Sequence, residues 1–400
     1  MRAVFTPSTP SGIIKAPPSK SMAHRLLIAA GLSNGVSRVT GIAPSEDVSA
    51  TVDCLRLLGA KITLANGVAT VCGTDPKKSS GATLPCRESG STLRFFLPLC
   101  LLSGGTATLT GSAKLLSRPL SVYETLAKEK GFALAETETA VRVSGRLTAG
   151  EYVVPGNVSS QFVSGLLFAL PLLDGDSTIK LLPPVESRNY IDLTLAALAE
   201  HGVRAEWTDE TTLAVKGGQT YFPHDAAVEG DWSNAAPFLA LGLDVIGLDA
   251  DSLQGDRVCT ESFRLLDAGR ATLDLTDCPD LAPVLMAYAA MRRGGTFTGT
   301  HRLRFKESDR GAAMAQELAK FGVDVSVGWD EITVEGGLRA PSETLEGHGD
   351  HRVVMALSVL CARTGGTIAG AEAVRKSFPD FFEKLRLAGV RLEYGKESTL

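Results

Sequence analysis

The residues able to do chemistry gather at one repeated kind of place. Lys20-Ser21, Gly90-Ser91, Ser159-Ser160-Gln161, Asp280 and Asp350-His351-Arg352 each open an apolar stretch of helical character. A helix start offers unpaired N–H groups and the positive end of the helix dipole, so it receives anions readily. Ser and Asp are also favoured N-caps, which accounts for any one of these sites without a ligand. The cations shift the balance. Lys20, Arg25, Arg94, Arg352 and Lys376 lie at or near such first turns, in a chain whose formal net charge is −5. Local cations in an acidic chain point to phosphate or carboxylate subsites. Lys306-Glu307-Ser308-Asp309-Arg310 is the densest charge cluster, between a strand at Thr296–Thr298 and a helix from Gly311 to Phe321. Alone, it reads equally as a solvated helix start. Pro17-Pro18-Ser19-Lys20-Ser21 lacks the G-x-x-x-x-G-K-[ST] frame of a P-loop.

Other chemistries fail on spacing. The six histidines form no H-E-x-x-H, and the seven cysteines form no C-x-x-C, so neither a zinc site nor a disulfide framework is expected. No G-x-S-x-G elbow is present, and no G-x-G-x-x-G follows a strand pattern, so no nicotinamide or flavin dinucleotide is implied. The acidic balance and 6% aromatic content argue against nucleic acid. The start, MRAVFTPSTP, has no apolar signal core, and apolar runs such as Phe95–Leu102 are too short for a membrane span. A cytoplasmic protein with no membrane partner is expected.

These chemical positions need elements to hold them, and the elements repeat. L-x-x-x-G followed by a short strand pattern ends at Gly59, Gly202, Gly269, Gly322 and Gly389, and Gly131 is a variant copy with Ala127 for Leu. Successive glycines lie 72, 71, 67, 53 and 67 residues apart. Each reads as the left-handed residue just past a helix. Helix starts near Ser21, Ser91, Ser160, Ser233, Leu281 and His351 recur in step, with gaps of 70, 69, 73, 48 and 70. A complete unit reads helix, turn, strand, helix, Gly, hairpin. The fourth unit has one strand, Ala271–Leu275, after Gly269 and then runs into Asp277-Cys278-Pro279-Asp280, so a hairpin is missing there. The 400 residues therefore hold six α/β units, more than one core encloses.

Taken together, the motifs resemble the 5-enolpyruvylshikimate-3-phosphate synthase family of enolpyruvyl transferases. The resemblance rests on PSKSxxxR (Pro18–Arg25), ESGSTLR (Glu88–Arg94), SRP (Ser117–Pro119), SSQF (Ser159–Phe162), SRNYIDLTL (Ser187–Leu195), PDLAP (Pro279–Pro283), KESDR (Lys306–Arg310), GDHR (Gly349–Arg352) and RKSFPDF (Arg375–Phe381). It implies a two-domain inverse α/β barrel of six βαβαββ-type units, three per domain, with the fourth shortened here. By analogy one domain is residues 14–228 and the other 1–13 with 229–400. Helix starts of both domains would face the cleft between them.

The activity so implied joins phosphoenolpyruvate to the 5-hydroxyl of shikimate 3-phosphate and releases phosphate. It needs no metal or organic cofactor, and the expected form is a monomer. On the resemblance, Lys20, Ser21, Arg25, Ser159, Ser160, Gln161, Ser187, Tyr190, Asp280 and Lys306 hold shikimate 3-phosphate. Lys20, Gly90, Arg118, Gln161, Arg310, Arg352 and Lys376 hold phosphoenolpyruvate. Asp280 is implied as the base at the 5-hydroxyl, Glu307 as the proton shuttle to the methylene carbon and Lys20 as a charge stabiliser. The division of proton transfers among the three stays open. A carboxylate between Lys306 and Arg310 is expected to titrate low unless burial opposes it. Gly90, rather than Ala, leaves the donor subsite open to glyphosate, an inhibitor of the family. Arg302 stands where some relatives have Asn and is left out of the site.

Two alternatives remain. An enolpyruvyl transferase acting on UDP-N-acetylglucosamine would carry a Cys in a Gly-rich loop. Here Cys86 precedes the Glu88-Ser89-Gly90 turn and Cys100 lies in an apolar helix. A non-catalytic anion-binding regulatory domain would have lost its acid/base groups, whereas Asp280, Glu307 and Lys20 are all present.

Overall fold

The computed structural model describes residues 1–395. Two compact units emerge: Pro18–Glu229, and Met1–Pro17 with the chain from Gly230 on. Residues 14–17, placed by sequence with the long internal domain, belong instead with the terminal one. The reason is a strand at Ile13–Lys15 that pairs in parallel with Asp244–Ile246.

The internal unit contains three four-stranded sheets of one design. In the second of them, Thr83–Pro85 lies parallel to Thr106–Thr110, which pairs antiparallel with Ala140–Ser144, and Ala133–Glu136 closes the edge. The third repeats this with Gly150–Pro155, Ser177–Leu182, Thr212–Val215 and Ala205–Trp207. The first takes its parallel edge from Ala226–Ala227, at the far end of the unit, beside Val36–Thr40. In the second and third sheets a helix joins the parallel pair, as parallel strands require. Helices such as Gly90–Cys100 and Ser160–Ala169 are buried nearly all round, which marks central helices rather than surface ones. Phe95 and Phe168 meet there at 5.5 Å between ring centroids.

The terminal unit builds two more sheets of the same order. One is Ala271–Asp274, Gly295–Thr298, Glu331–Val334 and Val325–Val327. The other is Leu345–Glu346, Gly366–Ala369, the N-terminal strand Arg2–Thr6 and Arg391–Gly395. Its remaining sheet has two strands only, Ile13–Lys15 and Asp244–Ile246, and is the shortened fourth unit. Here the sequence pattern needs correction. Ala271–Asp274 is not a leftover of the fourth unit. It is the first strand of the fifth, because its partner is Gly295–Thr298. The fourth unit lacks its whole hairpin.

The helix-end glycines follow the same logic. Gly59, Gly131, Gly202, Gly322 and Gly389 have φ between 72° and 110°, in the left-handed region. Gly269 does not; its φ is 160°, extended. The left-handed residue turns the chain back into a hairpin, and at Gly269 there is no hairpin to enter.

Candidate active site

Local capping places the candidate residues. Ser19, Ser89 and Ser159 accept the backbone N–H of Met22, Thr92 and Gln161, and so open the helices at Lys20, Gly90 and Ser160. Asp309 and Asp350 do the same for Ala312 and Arg352. The side chain just past each cap then stands at the helix mouth. Ser187 differs. It precedes the helix Arg188–Glu200 with φ 55° and makes no side-chain cap. A buried non-Gly residue in that conformation is strained by roughly 1–3 kcal/mol and marks a position held by its surroundings.

In the internal unit, Lys20 Nζ pairs with Asp47 Oδ2 at 3.0 Å, both side chains mostly buried. Arg25 is 3% exposed. Its guanidinium donates to the carbonyls of Ser21 (2.7 Å) and Tyr190 (2.8 Å) and to the hydroxyls of Thr194 (2.9 Å) and Ser164 (3.4 Å). Burial brings its pKa down to about 10, so it stays charged at neutral pH. This one side chain ties together the starts of the helices at Lys20 and Arg188. Gly90, Arg118 and Gln161 also come together. A Cβ on Gly90 would lie 2.8 Å from Arg118 Nη1, 3.2 Å from Arg94 Nη1 and 3.6 Å from Gln161 Oε1. Arg94 donates to Gln161 Oε1 at 2.7 Å, and Gln161 Nε2 donates to Ser91 at 3.0 Å. Close approach at Gly90 therefore depends on the absence of a side chain.

In the terminal unit, Arg310 is the hub. It is 1% exposed and its three nitrogens meet three carboxylates: Asp280 at 2.8 Å, Glu307 at 2.9 Å and Asp350 at 3.0 Å. Lys306 reaches Asp280 at 3.3 Å, and Arg352 lies 3.5 Å from its other oxygen while donating to Asn234 at 2.8 Å. Burial pushes the Asp280 carboxyl up, but Lys306, Arg310 and Arg352 outweigh it and hold it well below the usual range. For Lys306 burial wins and lowers the ammonium, with Asp280 opposing. The carboxylate that sits between Lys306 and Arg310 in space is thus Asp280, not the sequence neighbour Glu307. Lys376 donates to the Gly349 carbonyl at 2.8 Å, beside the turn that carries Asp350 and Arg352. Arg302 is buried and donates to the Thr276 carbonyl.

Four residues here receive no subsite from the motifs. Arg94 stands out as a cation in the sequence but without a subsite. Asp47 is the partner of Lys20, and its only signal is the acidic first turn after the Ser45 cap. Asn234 and Asp350 orient Arg352 and Arg310, and each reads in sequence as part of a helix start.

A chain of repeated βα units whose helix mouths carry buried Arg, Lys and carboxylate groups is built to handle multiply charged small anions. Comparison with known proteins makes this specific. The family described as EPSP synthase (3-phosphoshikimate 1-carboxyvinyltransferase) matches residues 5–263 and 266–385. The 3-phosphoshikimate 1-carboxyvinyltransferase of Clostridium kluyveri is 38% identical over 415 residues, covering 97% of each chain. That of Clostridium novyi is 37% identical, covering 96% of each. A solved structure of EPSP synthase from Acinetobacter baumannii superposes with a TM-score of 0.79 at 24% identity, over 98% of this chain and 99% of that one. The chain belongs to the EPSP synthase family. Among the described residues no helix is long and apolar enough to cross a membrane.

Proposed function

We propose that this protein transfers the enolpyruvyl group of phosphoenolpyruvate to the 5-hydroxyl of shikimate 3-phosphate and releases phosphate, as a cytoplasmic monomer without metal or organic cofactor. The observation that carries the reading is the Asp280 cluster: one ionised carboxylate ringed by Lys306, Arg310 and Arg352. Three cations converge on one carboxylate, and such a buried cluster of Lys and Arg side chains suits an incoming dianion.

The reaction balances with these groups. A proton adds to the methylene carbon of phosphoenolpyruvate while the 5-hydroxyl oxygen bonds to its central carbon and gives up its own proton. A tetrahedral phosphate-bearing adduct results. Phosphate then leaves and the methyl carbon returns one proton, restoring the double bond. In this reading Asp280 takes the hydroxyl proton, Glu307 moves the proton at carbon, and Lys20 and Lys306 offset developing charge. Arg118, Arg310, Arg352 and Lys376, with the open Gly90 N-terminus and Gln161, hold the donor. Ser21, Ser159, Ser160, Ser187, Gln161 and Tyr190 hold the acceptor, with Arg25 organising that group from beneath and Arg94 bracing Gln161. A carboxylate that titrates very low is a weak base. When the donor's anions take over Arg310 and Arg352, Asp280 loses part of its stabilisation and becomes more basic, so donor binding prepares the base.

Phosphate release with shikimate 3-phosphate and phosphoenolpyruvate together, in the presence of a metal chelator, and with neither alone, is the expected result. Release with UDP-N-acetylglucosamine in place of shikimate 3-phosphate, or dependence on added metal, overturns the assignment.

A further inference from the structure

One buried polar chain in the internal unit has no part in the steps above. The helices Lys20–Gly31 and Glu46–Leu57 are joined by two rungs one turn apart. The first is Lys20 to Asp47 at 3.0 Å. The second, four residues further along both helices, is His24 Nδ1 to Thr51 Oγ1 at 2.7 Å. The spacing of four puts each helix's pair on one face. From Thr51 the chain runs to the Thr92 hydroxyl at 2.9 Å, and Thr92 donates to Ser89 Oγ at 2.7 Å. Ser89 caps the helix that opens at Gly90. All four side chains, His24, Thr51, Thr92 and Ser89, have no solvent exposure.

Proton counting sets the direction. Each hydroxyl has one hydrogen to donate. That of Thr92 goes to Ser89, so Thr51 donates to Thr92, and His24 must donate to Thr51. The imidazole hydrogen is therefore on Nδ1, and Nε2 is a buried lone pair with no hydrogen-bond partner among the described residues. Burial, then Lys20 and Arg25, hold the imidazole well below its usual pKa, so the ring is neutral at pH 7.

We propose that His24 is a positioning residue for the enolpyruvyl donor: as an Nδ1–H donor it heads the relay His24–Thr51–Thr92–Ser89, which fixes the first turn of helix Gly90–Cys100 in register with the Lys20–Asp47 pair. The inference rests on the reading that Gly90 receives phosphoenolpyruvate. Side-chain volume alone does not account for the arrangement, because an apolar residue fills the same space without continuing the chain of donors. Asn, whose amide nitrogen reaches about the place of Nδ1, continues it.

The test compares His24→Leu, His24→Asn and Thr51→Val by steady-state phosphate release. His24→Leu and Thr51→Val are expected to raise KM for phosphoenolpyruvate roughly three- to tenfold, the effect of one hydrogen bond. KM for shikimate 3-phosphate stays within about twofold, and His24→Asn restores wild-type values. Equal rises in both KM values, or an Asn variant as impaired as the Leu variant, overturns the relay. Should the wild type release no phosphate from this substrate pair, the functional reading fails and the relay is judged by amide hydrogen exchange. Faster exchange in the segment from Ser89 to Phe95 in the Leu and Val variants, absent in the Asn variant, upholds it. Unchanged exchange in all three overturns it.

Discussion

Arg310 offers the sharpest perturbation. Arg310→Met keeps an unbranched side chain of similar reach but removes the cation that meets Asp280, Glu307 and Asp350. Asp350 is wholly buried, and Asp280 and Glu307 are about one-fifth exposed or less. Lys306 and Arg352 still reach Asp280. For Asp350 the groups lowering its pKa are Arg310 and then His351. Breaking a buried ion pair by removing one partner costs about 3–5 kcal/mol. A domain of this size loses roughly 2–4 °C per kcal/mol, so melting falls by roughly 6–20 °C. Thermal unfolding followed by tryptophan fluorescence reads it, since this unit contains Trp232 and Trp329. The pH dependence gives a second check. Burial raises the Asp350 carboxyl, yet Arg310 and His351 leave it below its ordinary value. A depressed carboxylate adds stability that is complete above the unfolded pKa, about 3.9 for Asp, and is lost as pH falls through the folded value. Without Arg310 the burial effect prevails and the Asp350 pKa rises. The variant's deficit is then largest at neutral pH and shrinks on acidification toward pH 5. A loss under about 1 kcal/mol, the size of an exposed pair, or a deficit that grows on acidification, refutes the hub.

Two further predictions concern the chemistry. Asp280→Ala is expected to lower turnover roughly 10²–10⁴-fold, the loss of a general base, while shikimate 3-phosphate binding by calorimetry stays near wild type; turnover within a few-fold of wild type removes Asp280 from that role. Gly90→Ala puts a Cβ 2.8 Å from Arg118 Nη1, the far end of a flexible side chain. The guanidinium moves rather than the backbone, so KM for phosphoenolpyruvate rises roughly tenfold, about one charge-assisted hydrogen bond, and inhibition by glyphosate weakens in parallel. An Ala variant with unchanged KM and inhibition shows that Arg118 does not serve the donor.

What the sequence made legible is what short-range physics controls. Ser19, Ser89 and Ser159 cap helices through bonds two or three residues away, so the helix mouths and the residues at them could be read directly. The repeat was legible for the same reason, since each unit restates the same local order of helix, Gly and strand. The misreadings share the opposite cause. Ile13–Lys15 joins the terminal unit because its partner is Asp244–Ile246. Ala271–Asp274 opens the fifth sheet because of Gly295–Thr298. Gly269 looks like its five counterparts up to the residue itself and differs only in what the chain does next. The site divides along the same line. Its residue types were readable, but its pairings were not: Lys306 lies next to Glu307 in the chain and bonds Asp280, and Lys20 bonds Asp47. A cation's neighbour in sequence is set by where a helix can start, whereas its partner in space is set by which helices pack together. The charge balance that tunes Asp280 therefore belongs to the packing of the helix starting at Ala282 against those starting at Arg310 and His351. Substitutions in those packing faces, remote from any motif, are expected to shift how low the Asp280 carboxyl titrates.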